Sequence, residues 1–369
     1  MPLQVIETDF ATDLRWDRFV ESHPERLVYQ HSLWLAALRN EFGQDALSLA
    51  CVDENNEFKG IFPLLYTRGL PCIHRLGGHL TGKRLASLPR TPLAGPLSVS
   101  RAADSLLLQE AVRRVISTPG TTLQIKMNIN RLDDIIDGMK GDLWRDSYVL
   151  ELPKDPGGNI RFGKSDEHNR VTRAVKKAVG LGLAVREAEN EDDLFAWYRL
   201  YLETMRRVVV PPRPRRFFRE LWGEMRPRGL MRLLLAEKIA GNARKPLAGS
   251  IFLMYGQTFH YAFTGCNALA LALHANDLLL WEAIHSAARE GYRHFDFGEV
   301  TAGRPGLARF KSKWGAKATP LYRYQFPDDG SPKTHAEHEP SGSRLIRAIW
   351  QRVPLGMTGV IGSQLFRRL

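Results

Sequence analysis

Residues 294–316, HFDFGEVTAGRPGLARFKSKWGA, place His294, Asp296 and Glu299 on an apolar strand pattern just ahead of a glycine-rich, basic stretch. From Thr301 to Tyr324 the chain carries Arg304, Arg309, Lys311, Lys313, Lys317 and Arg323 and no acid. Glycines let a backbone approach a ligand closely, and cations with no acid nearby in sequence attract anions. Such a stretch can hold an anion such as a phosphate. A solvated basic connection between two strands has the same composition, because charge runs commonly face water. Asp296 needs a partner in so apolar a setting. It either orients Lys311 or takes a proton from an amine, or it caps the glycine loop through backbone N–H groups. Glu299 has a similar claim. His294 alternates with Asp296 along the strand and so shares its face, although a lone histidine is more often structural.

A second concentration of charge lies upstream. Between Arg206 and Arg232 stand nine arginines, at 206, 207, 213, 215, 216, 219, 226, 228 and 232, offset by Glu220 and Glu224. Arginine binds phosphate in a bidentate way that lysine does not match. The run therefore reads as a general basic face.

The elements that must position these groups follow from periodicity. GLAVREAEN (182–190) alternates as a strand, and EDDLFAWYRLYLETMRR (191–207) has Leu194, Trp197, Tyr198, Tyr201 and Met205 at helical spacing. After the break VVVPPRP comes a helix over PRRFFRELWGEM. Strands follow at MRLLLAEK, LAGSIFLMY and QTFHYAFTG, the last two joined by a tight hairpin at Tyr255–Gly256–Gln257. The helix ANDLLLWEAIHSAARE ends at Gly291, and the strand YRHFDFG leads into the basic stretch. The first half repeats this order: a strand at LQVIETD, helices near 12–21 and 31–42, and strands at ALSLACVD, FKGIFPLLYTR and PCIHRLGG. A helix at AADSLLLQEAVRRVIS and a strand at TTLQIKMN complete it. Two α/β units in tandem imply an internal duplication with the halves packed face to face. The join, 163–182, has Val171, Ala174, Val175, Ala178 and Val179 on one helical face and Arg170, Arg173, Lys176 and Lys177 around the rest. The expected organisation is a first unit over 1–160, a second over 161–327, a linker at 328–343 and a basic amphipathic tail at 344–369.

At 369 residues and 44% hydrophobic the chain can bury a large core, and its formal charge of +12 draws it toward phosphates, anionic lipids or nucleic acid. Cys51, Cys72 and Cys266 show no metal-ligand spacing, so no metal site is expected. No signal peptide or spanning segment is recognisable, which points to the cytoplasm. The segment RLGGHLTGKR (75–84) lacks phosphate-loop spacing. The tail RLIRAIWQRVPLGMTGVIGSQLFRRL has no acid, and it either packs back on the parent domain or lies peripherally on an anionic inner-membrane surface.

The element order resembles the GNAT acyltransferase fold, and its duplication resembles the FemAB family of aminoacyl and acyl transferases of peptidoglycan-bridge and related envelope synthesis. The likeness is carried by TRAVKKAVGLGLAV, by YLETMRR followed by PPRPRRFF, and by YAFTGCN…LLLWEAIHSAAREGYRHFDFGEV…GLARFKSKWGA. The tail is similar to that of FemAB-related proteins of exopolysaccharide and PEP-CTERM loci. The resemblance implies an activated donor, an amine acceptor and a stabilised oxyanion. It assigns Lys311 to the reacting centre with Phe310 beside it and Asp296 in support. Tyr261 matches a cleft tyrosine, the competing view being a buried tyrosine satisfied by backbone. Arg207 stands where a phosphate-binding arginine is expected, and Arg39 stands about one place from a helpful cation in the first unit.

The fold class expected is α/β, as two GNAT-like units. The function expected is transfer of an acyl group from acyl-CoA or aminoacyl-tRNA, with no tightly bound cofactor. The acceptor is an amine on a small-molecule or lipid-linked anionic precursor of the envelope, peptidoglycan or exopolysaccharide. Two further readings stand beside it. One is a non-catalytic protein that keeps the fold and binds RNA or an anionic polysaccharide. The other is a peripheral membrane scaffold working through the tail. No glycine-rich pyrophosphate loop follows the central strand of either half, and no long charged helical hairpin of the kind used for tRNA is inserted in the second.

Overall fold

The computed structural model describes the chain except for residues 1, 44–45, 69–82, 138, 156–157, 242, 302, 328–342 and 367–369. Expectations concerning Cys72, the strand at 71–78, most of RLGGHLTGKR, the linker at 328–342 and Arg367 and Arg368 lie outside the described residues. Two compact units emerge: Met1–Arg145 with Pro320–His335 and Arg367–Leu369, and Asp146–Thr319 with Ala336–Phe366. The division thus falls at Arg145/Asp146 rather than at 160/161, and residues from Pro320 return to the first unit. Hydrogen bonding is the reason, since 146–151 pair within the second unit and 322–326 within the first.

In chain order the elements begin with β1 (Gln4–Thr8), α1 (Arg15–Ser22), α2 (Ser32–Phe42), β2 (Ala46–Val52), β3 (Phe58–Arg68) and β4 (Lys83–Ala86). Next are β5 (Leu97–Ser98), α3 (Arg101–Ile116), β6 (Thr121–Met127) and β7 (Asp142–Glu151). The second segment supplies α4 (Ser165–Gly180), β8 (Leu183–Glu187), α5 (Glu191–Val208), α6 (Arg215–Glu224), β9 (Met231–Ala240), β10 (Ala243–Tyr255) and β11 (Thr258–Cys266). Then follow α7 (Ala268–Ala272), α8 (Ala275–Arg289), β12 (His294–Val300), α9 (Pro305–Ser312), β13 (Lys317–Phe326), α10 (Ser343–Arg352) and α11 (Leu355–Phe366).

Strands of the first unit run in the order β1-β2-β3-β4-β6-β13, with β5 on β3, and β4 and β6 are its parallel neighbours. Ser100 starts α3 by accepting the Ala103 N–H at 3.2 Å, and Leu107, Leu108, Ala111 and Val115 bury against Leu49, Leu123 and Ile125. In the second unit the order is β7-β12-β11-β10-β9-β8, with β11 and β12 parallel and the others antiparallel. The hairpin between β10 and β11 turns at Gly256–Gln257 as expected. Asn190 accepts the Asp193 N–H at 3.0 Å and starts α5, whose Trp197 is fully buried and donates its indole N–H to the Gly249 carbonyl at 3.0 Å. Removing a ring of that size from water stabilises the fold by about 2–3 kcal/mol. The helix lies directly on β11: a Cβ on Gly265 would stand 2.3 Å from the Tyr201 backbone nitrogen.

Two expectations change, and one left open is decided. The basic stretch after β12 is not a loop throughout, since Pro305 begins α9, and that helix carries Phe310 and Lys311. On α4, Val171, Val175 and Ala178 face inward, but Val179, on the last turn, is 56% exposed. The tail packs back: α11 lies against α5, with Thr358 fully buried and Gly359 facing Leu202. Among the described residues no helix is long and apolar enough to cross a membrane.

Candidate active site of the second unit

The two parallel strands of the second unit share only three register pairs, Thr258 with His294, Phe259 with Phe295 and His260 with Asp296. Each then departs from regular pairing with its other neighbour. Against β10, the register steps from Phe263 opposite Ile251 to Tyr261 opposite Phe252, so β11 bulges at Ala262. Against β7, Asp296 faces Val149 while Glu299 faces Ser147, so β12 bulges at Phe297–Gly298. Gly298 has φ +74°, which favours glycine. Bulges turn backbone groups away from a ladder, and here they do so on both strands at the place where the pairing ends.

Asp296 stands at that place. Its Oδ1 accepts from Ser147 Oγ at 3.0 Å and from the Gly298 N–H at 2.7 Å, and its Oδ2 lies 3.2 Å from His260 Nδ1. Burial opposes ionisation of this carboxyl, but the hydrogen bonds from His260, Gly298 and Ser147 prevail and hold it below the ordinary aspartate value. Of the two roles open from sequence, capping the turn after β12 is the one realised in its bonds. Lys311 comes up from α9 to the same turn. It is 4% exposed, and its Nζ donates to the carbonyls of Gly298 at 2.8 Å and Glu299 at 2.9 Å. Burial pulls its pKa down to about 8, against the charges of Asp296 and Glu299, which raise it. A lysine with that value is mostly charged at neutral pH and half charged near pH 8, and an ammonium has three protons.

The other expected residues are distributed around these two. Tyr261 hydrogen-bonds with the hydroxyls of Thr264 and Ser250, and burial raises its pKa to about 12. Its ring centroid is 5.7 Å from that of Phe252 and 6.2 Å from that of Phe297. Phe310 packs against the second unit's core, with Lys313 Nζ 4.7 Å from its ring centre. Arg207 donates to the Cys266 carbonyl at 3.2 Å and to Cys266 Sγ at 3.1 Å, joining the end of α5 to the end of β11. Arg39 belongs to the first unit, where it pairs with Asp9 at 3.3 Å and covers Phe10.

The arginine run is not one basic face. Arg213 is 3% exposed against Phe217, Arg226 donates to the Ala188 carbonyl, and Arg232 pairs with Glu290 and Glu187. Helix and turn geometry separates positions that the sequence lists side by side. Sequence reasoning also missed His260 and Ser147. Both reach Asp296 across strands, so no local spacing announces them. The residue singled out beside His260, Tyr261, came from the family resemblance and not from its spacing.

The resemblance to the GNAT fold implies a place for an acyl carrier's phosphates at the start of the helix after β11. The residues present do not suit that use. The short helix α7 leads into α8, and Asp277 in the first turn of α8 accepts from Lys313 and lies 3.3 Å from His274. A carboxylate already occupies the positive helix end. In the first unit, a groove of about 510 Å³ at the start of α3 is lined by His23, Glu25, Asp104 and Arg131. Its charges are matched internally, Arg131 pairing with Glu25 at 2.7 Å and Asp104 at 3.1 Å.

Residues 165–312 match the family model described as an acetyltransferase (GNAT) domain. No curated protein sequence matches the chain. Among solved structures, FemX is similar at 16% identity and a TM-score of 0.64, over 88% of this chain and 97% of that one. The C-terminal domain (DUF2156) of a putative lysylphosphatidylglycerol synthetase from Agrobacterium fabrum is similar at 12% identity and a TM-score of 0.54, over 84% and 90%. A tandem GNAT protein from the clavulanic acid biosynthesis pathway is similar at 11% identity and a TM-score of 0.50, over 88% and 98%. The chain therefore has the fold of FemX and of a tandem GNAT protein, and its residues 165–312 carry the match to the GNAT acyltransferase domain.

Proposed function

We propose that the second unit is the catalytic half of an N-acyltransferase or aminoacyltransferase. It moves an acyl group from acyl-CoA or aminoacyl-tRNA to an amine of an anionic envelope, peptidoglycan or exopolysaccharide precursor, free or lipid-linked. The observation that carries this reading is Lys311, buried and held on the Gly298 and Glu299 carbonyls where β11 and β12 part. The acceptor nitrogen attacks the donor carbonyl, a C–N bond forms, and the C–S or C–O bond to the carrier breaks. The proton shed by the amine leaves with the carrier's thiol or hydroxyl. In this reading two protons of the Lys311 ammonium hold the bulge and the third meets the oxyanion. Asp296 keeps the turn in place, and Tyr261 and Arg207 face the acceptor.

The test is single-turnover transfer with labelled acyl-CoA and with aminoacyl-tRNA, using wild type and Lys311→Ala. Loss of one oxyanion donor lowers the rate by about 100-fold or more. A folded Lys311→Ala protein with the wild-type rate would overturn the assignment.

A second reading has its own observation. Arg170, Arg173, Lys176 and Lys177 are exposed along α4, and a groove of about 610 Å³ there is lined by Arg170, Arg173 and Lys176 with one acid, Asp166. Such a face suits a polyanion such as RNA or an anionic polysaccharide. Binding that disappears at moderate salt and ignores the acyl group supports it over catalysis.

A further inference from the structure

The two helices of the tail have two different faces. Toward the second unit, Thr358 is fully buried, Gly359 faces Leu202 and the Tyr198 hydroxyl, and Arg206 donates to the Val353 carbonyl at 3.2 Å. Gln351 donates to the Arg207 backbone carbonyl at 3.2 Å, so the junction of α10 and α11 is fixed on the end of α5. Away from that contact stand large aliphatic side chains: Ile349 is 57% exposed, Met357 54% and Val360 65%. Met357 and Val360, three apart on α11, share one face. Neither helix contains an acidic residue, and Arg352 is exposed at the end of α10.

We infer that this outer face docks on an anionic lipid surface. Aliphatic side chains on helices already folded onto a rigid domain enter the headgroup boundary with little further ordering, and neighbouring cations meet lipid phosphates. Charge decides against a second copy as the occupant. A two-fold contact sets the same patch against itself, and here it would bring Arg352 toward its own counterpart with no acid on either helix to offset it. Anionic headgroups supply the opposite sign. The inference is independent of the acyl-transfer reading, because it concerns where the protein sits and not what its second unit does.

The experiment is cosedimentation of the full chain with vesicles of phosphatidylcholine alone and of phosphatidylcholine with phosphatidylglycerol. Wild type is expected to bind the anionic vesicles and to be released by salt. Ile349→Ser/Met357→Ser, at positions more than half exposed, is expected to retain its circular dichroism and lose binding by about tenfold or more. Arg352→Glu is expected to weaken binding to anionic vesicles and leave the weak association with neutral ones unchanged. The inference is overturned if wild type ignores anionic vesicles, or if the double variant binds them as wild type does. It is equally overturned if light scattering without vesicles finds an oligomer that the double variant dissolves, which would make the face a self-association surface.

Discussion

The His260 imidazole and the Asp296 carboxylate lie 3.2 Å apart across the last register pair that β11 and β12 share. Beyond them the two strands share no further register pair, so this pair closes the ladder between them. Ser147 and the Gly298 N–H complete the set of donors to the same carboxylate.

Asp296→Ala removes the acceptor for those donors and is expected to cost about 3 kcal/mol, the range for breaking a buried charged network. Asp296→Asn retains part of the bonding and is expected to cost less. Because the folded carboxyl titrates below its ordinary value, its contribution is present above the unfolded pKa and is lost as pH falls through the folded one. Urea titrations at neutral and acidic pH check both: the gap between wild type and variant should narrow in acid.

The Lys311 ammonium is lost as pH rises through about 8. If the charged form meets the oxyanion, the transfer rate should fall above that pH, and Lys311→Arg should move or abolish the basic limb of the pH–rate profile. Stability runs the other way for this group. Its folded pKa is depressed from 10.5 to about 8, so the unfolded chain binds more protons in that window and the group's contribution to stability rises with pH. A limb unchanged by the arginine substitution would assign the pH dependence elsewhere.

Gly265→Ala would place a Cβ 2.3 Å from the Tyr201 nitrogen and 2.6 Å from the Leu200 carbonyl carbon, all backbone. Neither side chain nor rotamer can give way there, so α5 must shift off β11. The expected destabilisation is about 3 kcal/mol, at the upper end for overpacking. A thermal melt within a degree or so of wild type would contradict the packing.

Arg207→Ala distinguishes two roles for one side chain. As a staple between α5 and Cys266 it contributes about 1–3 kcal/mol through hydrogen bonds from a charged donor. As a ligand for an acceptor phosphate its loss raises KM. A variant with lowered stability and unchanged KM is structural; a raised KM with a small stability change places the arginine at the acceptor.

Much of the fold was legible because it depends on local pattern. The alternation in GLAVREAEN, the helical spacing from Leu194 to Met205, Asn190 as a cap and Gly256 in the hairpin all act over a few residues, and each element formed where those signals stand. The apolar strand likewise marked Asp296 as a residue in need of a partner, while Lys311 was singled out by the family resemblance. What the sequence left undecided is where those partners lie. His260 and Ser147 reach Asp296 from strands 36 and 149 positions away, and the arginines from 206 to 232 scatter between core, carbonyl and carboxylate. The chain by itself determined its strands, helices and net charge, since backbone propensity and side-chain periodicity are local. Strand register, the bulges at Ala262 and Gly298 and the burial of Lys311 were decided by tertiary packing alone, because each depends on which distant backbone groups remain to be satisfied once the sheet has formed.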